Sequence, residues 1–289
     1  MNSRYLAAAA VLLVIAGCAT APGLHEEADP IRMLPHDTNL AVSIPLVEHR
    51  TGMELVVPEL FDGDLSTVLR RTSRITAARS VTRLQNGNRV SELHMVVEGS
   101  FTPTALRFGL PRRHGWSRER SNGIRYYRNP EMAVVLIEPG LLYAVISEEP
   151  EPQISAAMQR AVNPQPVDHP VPSLSSVSEA RIWWRSAAAV QSTDSTVPPQ
   201  IRSFLDTEGL FDYTMSSDGS LLMHGTLRPA DEPAARALNV TLRFLLPQLI
   251  ETVRRPAIER RGSVILIDDI ELAPATVRQW ALRLLEDFL

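Results

Sequence analysis

ITAARSVTRLQNGNRVSELHMVVEGS, residues 75–100, is the stretch whose reading decides the fold. Two runs rich in β-branched and small residues flank Gln85-Asn86-Gly87-Asn88. Asn-Gly tolerates the positive φ angles that a tight hairpin turn demands, so residues 75–84 and 89–100 are expected to pair as antiparallel strands. An antiparallel hairpin of this kind fits the α+β class, antiparallel sheets with helices packed on them.

The elements around it fit that class. Before the hairpin, residues 40–44 read as a strand. Residues 53–72 carry a helical pattern, interrupted at Phe61-Asp62-Gly63, with Asp64 as N-cap of its second piece. After it, Thr102-Pro103 opens a short helix with proline in the first turn. Residues 124–127, 133–138 and 141–147 read as strands, the last two joined at Pro139-Gly140. Residues 151–161 read as a helix.

Residues 163–178 then carry Pro164, Pro166, Pro170, Pro172 and a serine-rich stretch, the composition of a linker. Beyond it come a strand at 180–186, a helix at 198–206 and a hairpin of 210–216 with 220–228 around Asp218-Gly219. A long helix capped by Asp231 follows to about residue 254, and Pro247 is expected to kink or split it. A strand at 263–272 and a helix at 274–288 close the chain. The two halves run in a similar order, either as duplicated half-units or as a chance recurrence of common elements. The expectation is antiparallel sheets with helices packed on one face, two sheets or one joined sheet.

The first residues have the parts of an export signal. A short polar start holds Arg4, and an unbroken apolar run covers residues 6–16. The run is too short to span a bilayer as a helix, which takes about 20 residues. It ends Ile15-Ala16-Gly17-Cys18. This resembles the lipobox of bacterial lipoproteins, where an aliphatic and two small residues precede an obligatory cysteine. The resemblance implies that the signal is removed before Cys18, that its sulfur receives a diacylglyceryl group, and that the new amino terminus is acylated. It implies a membrane partner through lipid, and Ala19 favours the outer membrane in a host with two membranes. Cys18 is the only cysteine of the chain. The division read from the sequence is signal 1–17, lipidated tether 18–34, first half 35–163, linker 164–178 and second half 179–289.

Hydrophobic residues make up 44% and charged residues 21% of the chain, the composition of an ordinary globule. All 29 basic residues are arginine, and the formal net charge is −4. A mildly acidic chain lacks the basic stripe that nucleic acid requires. It is equally poor at holding anionic lipid by charge alone, which throws the weight of attachment onto Cys18.

No HExxH, nucleophile elbow or Gly-rich phosphate loop is present, and no two histidines have metal-ligand spacing on one element. No metal or cofactor is therefore expected from the sequence. His94 and His224 fall at similar places in the two central hairpins, as a paired site or as satisfied histidines. Asp268-Asp269, after the apolar run 264–267, reads as the acidic end of a strand facing water. Trp183-Trp184 on a strand points one indole each way. The outward one is either a ligand platform or the second face of a strand buried on both sides. These features suit a non-enzymatic envelope module that binds a protein or other envelope component. An envelope hydrolase with converging acids, or a small-ligand carrier with a cleft between the halves, remain as alternatives.

Overall fold

The computed structural model describes residues 30–56, 58, 70–83, 89–104, 115–121, 123–130, 132–147, 149–162, 179–185, 207–249 and 256–279. The signal, Cys18, Asp64, the turn 85–88, the linker 164–178, the helix read at 198–206 and most of the helix read at 274–288 lie outside the described residues.

The central hairpin forms as expected. Strand β2 (Thr72–Arg83) pairs antiparallel with β3 (Arg89–Gly99), in register from Arg83↔Arg89 to Ile75↔Val97. The other strands are β1 (Thr38–Pro45), β4 (Ser117–Ser121), β5 (Ile124–Arg128), β6 (Met132–Glu138), β7 (Leu141–Ile146), β8 (Ala180–Trp184), β9 (Glu208–Met215), β10 (Leu221–Arg228), β11 (Ala257–Arg261) and β12 (Val264–Leu272). Among the described residues these twelve strands make one antiparallel sheet, in the order β11-β12-β10-β9-β8-β1-β2-β3-β7-β6-β5-β4. The chain is thus α+β, with a joined sheet.

The winding repeats. From the centre outward one half runs β1-β2-β3-β7-β6 and the other β8-β9-β10-β12-β11. The halves meet where β1 pairs antiparallel with β8, from Leu40↔Trp184 to Ser43↔Arg181. Backbone hydrogen bonds cross this seam, so the halves share one sheet rather than standing as separate domains.

Among the described residues, three helices are α1 (Leu46–Val56), α2 (Pro150–Val162) and α3 (Glu232–Leu249), and residues 274–279 begin a further one. Expected on one face, they divide between both. Ile154 and Ala157 of α2 pack with Ala41, Ala78, Val96, Tyr143 and Trp183, and Leu210 of β9 joins this cluster. Leu238, Leu242 and Leu246 of α3 pack with Leu227, Ile265, Ile267 and Phe211, also of β9. Neighbouring residues on a strand point to opposite faces, so Leu210 and Phe211 place α2 and α3 on opposite sides. Each such leucine, buried from water, contributes about 2 kcal/mol. Asp231 caps α3 as expected, its Oδ1 accepting from the Ala234 amide at 2.7 Å. The backbone stays helical through Pro247 as far as Leu249.

The body starts earlier than residue 35. A 3-10 turn, Pro30–Met33, leads into Leu34, and Ile31, Met33 and Leu34 are buried against α2 and the sheet. Arg160 of α2 donates to the Met33 carbonyl through Nη2 (2.8 Å) and Nε (3.2 Å). The apolar side chains of this segment explain the difference, because they have a core to enter.

Two strands escape the periodicity of the sequence. β4 is SRERS and β11 is AIERR, and they form the two outer edges of the sheet. Charged edges are the usual defence of a sheet against pairing with another chain, and the same charges hide them from an apolar pattern.

Candidate functional site

His94 sits on β3 with no exposure at all. Its Nε2 lies 2.9 Å from Ser80 Oγ on β2, and its Nδ1 lies 2.6 Å from Tyr143 Oη on β7. A neutral imidazole has one N–H and one acceptor nitrogen, so these two hydroxyls satisfy it. Burial, with the Arg160 guanidinium second, pushes the His94 pKa down to about 3. Glu92 Oε2 is 3.8 Å from Nε2, but that carboxylate already accepts from Ser147 Oγ (2.6 Å, to Oε1) and Gln153 Nε2 (2.8 Å, to Oε2). Desolvation decides the case, and the imidazole stays neutral. This is a closed core network under α2, the satisfied-histidine alternative.

Trp183 and Trp184 resolve as the two sides of a covered central strand. Trp183 is buried in the α2-side cluster, its indole N–H donating to Glu208 Oε1 at 3.1 Å. The Arg185 guanidinium lies 5.7 Å from its ring centroid. Trp184 stacks on Phe211 with centroids 5.7 Å apart and an interplanar angle of 17°. Its indole lies over Gly209, where a Cβ would fall 2.1 Å from the ring. These indoles are packing elements.

His94 and His224 are not brought together. Five strand spacings separate β3 from β10, roughly 24 Å across the sheet. They do not lie level with each other across the sheet either. The β1–β8 pairing relates Ala41 to Trp183, and stepping outward along the ladders relates Ala78 to Leu210 and His94 to Thr226. His224 lies level with Val96, two residues along.

His224 instead joins residues that the sequence reading did not single out. It stands directly opposite Asp212 of β9. Asp212 in turn stands opposite Arg181 of β8. Glu179 lies two residues before Arg181 and so shares its face. Diagonal neighbours on adjacent strands are within reach of long side chains. Among the described residues, Glu179, Asp212 and His224 place one ligand atom each within 4.8 Å of one another. The Arg181 guanidinium holds Asp212 in a two-pronged ion pair, Nε to Oδ1 and Nη2 to Oδ2, the latter at 3.0 Å.

Asp268 and Asp269 are not at a strand end. β12 continues through them to Leu272, and both are exposed. Met223 pairs with Ile270 and Gly225 with Ile267, so His224 alone stands opposite the two aspartates. That is a β-bulge, and Asp269 takes φ +60 within it. The bulge places two more acids beside His224 in the ladder. The signal that could have found this site is same-face position on three strands, which becomes visible only when the registers are known.

No protein-family model matches the chain, and no curated protein matches it. Solved structures do share its fold. Crystal form III of TP0453 aligns with TM-score 0.60 and 13% identity over 88% of this chain and 98% of that one. Form I gives 0.61 and 14% over 89% and 97%, and form IV gives 0.61 and 13% over 88% and 97%. At this identity the likeness is one of fold.

Proposed function

We propose that this chain is a lipid-anchored protein of a bacterial envelope and that its body is a binding module rather than an enzyme. The observation that carries the reading is the apolar run ending Ile15-Ala16-Gly17-Cys18, with the sole cysteine of the chain at the acceptor position. Two acyl positions, sulfur and amine, meet the requirement that stable anchoring needs more than one chain.

The fold adds a constraint. Residues 19–29 alone separate Cys18 from the 3-10 turn docked on the sheet. Fully extended, that segment reaches about 40 Å. The body therefore works close to the membrane that holds it. Ala19 favours the outer membrane. No helix among the described residues is long and apolar enough to cross a membrane.

The burial of His94, Trp183 and most of Trp184 in packing removes them as catalytic or ligand-facing candidates, and the binding role follows from the envelope placement that the lipobox implies. The test is fractionation followed by cross-linking in the native envelope. Wild-type protein is expected in the membrane fraction, cross-linked to a defined neighbour, and Cys18→Ser in the soluble fraction. Cys18→Ser remaining with membranes would overturn the anchor. Recovery of turned-over envelope material, with no cross-linked neighbour, would overturn the binding role.

A further inference from the structure

We propose that Glu179, Asp212 and His224 bind a first-row divalent transition metal, with Zn2+ the fitting case. The set is chemically mixed, one imidazole and two carboxylates, which is the kind of donor set Zn2+ accepts. Sheet register builds it. Asp212 and His224 are a directly opposed cross-strand pair, and Glu179 reaches in from the diagonal. The ligand atoms already lie within 4.8 Å of one another. Ligands around Zn2+ at about 2.1 Å sit roughly 3.4 Å apart, so small side-chain rotations complete the shell.

Arg181 is compatible with this role. It uses one lone pair on each Asp212 oxygen and leaves the others open, since a carboxylate has about four acceptor positions. Metal-ligating carboxylates are commonly oriented by such an outer partner. The two carboxylates and one guanidinium leave a local charge of −1, which suits a dication. Three protein ligands leave a fourth position for water or for a donor from a binding partner. The bulge at Asp268-Asp269 lies across the ladder from His224 and adds negative potential on that side.

The experiment uses the full-length chain, purified in detergent, stripped with chelator and titrated with Zn2+ by calorimetry. One equivalent per chain is expected. His224→Ala and Glu179→Gln are each expected to weaken binding at least about tenfold. His36→Ala, at an exposed histidine away from the cluster, serves as control and is expected to leave binding unchanged. Zn2+ should raise the unfolding temperature of wild type and not of His224→Ala, while the metal-free proteins unfold alike. Absence of Zn2+ binding would overturn the proposal. So would binding that survives both ligand variants, which places the ion elsewhere, or preference for Ca2+ over Zn2+, because an imidazole does not serve a hard cation.

Discussion

His94 shows how one buried residue makes stability depend on pH. Its folded pKa of about 3 lies below the ordinary 6.5, chiefly through burial. The unfolded chain therefore takes up a proton that the folded chain refuses as pH falls below 6.5. The stability linked to this group is complete above 6.5 and is lost as pH falls toward 3. Between pH 7.5 and 4.5 the loss amounts to roughly 2–3 kcal/mol. Urea unfolding of wild type and His94→Asn at both pH values measures it. Wild type is expected to lose that much more than the variant over the interval, and parallel losses would mean that His94 is not neutral in the fold. The sequence could suggest a satisfied histidine here, because His94 lies on an apolar strand. It could not supply the partners, since Ser80 and Tyr143 come from β2 and β7, far apart in the chain.

Among the elements, β8 and β9 meet with little tolerance. The Trp184 indole lies over Gly209, and the ring is held from the side by stacking on Phe211. Gly209→Ala would put a methyl 2.1 Å from that ring. The expected cost is about 1–3 kcal/mol, the usual range for overpacking, read as a lower urea midpoint. An unchanged midpoint would show that the indole can move aside. Apolar alternation and turn pairs made the inner strands legible, among them β2, β3, β6, β7, β9 and β10. The edges β4 and β11 were not, because SRERS and AIERR carry their charges as protection. Asp268-Asp269 lie inside the strand expected at 263–272, and the feature the alternation hides there is the bulge. A bulge interrupts the alternation while the strand itself continues.

Across the whole molecule, a repeated winding order is joined through β1 and β8 into one sheet. That joint places strands from distant parts of the sequence side by side. Glu179 lies just before β8, and Asp212 and His224 lie on the two strands beyond it. No local spacing announces such a cluster, whereas the docked 3-10 turn at residues 30–33 could have been suspected from Ile31, Met33 and Leu34. The same turn fixes the short stretch, residues 19–29, between the folded body and Cys18.

On the proposed reading, the placement of the whole protein rests on one sulfur atom. Metabolic labelling with palmitate in a bacterial host tests it most directly. The expected result is label in wild-type protein and none in Cys18→Ser expressed at the same level. Label persisting in Cys18→Ser, or absent from wild type, would contradict the lipid anchor.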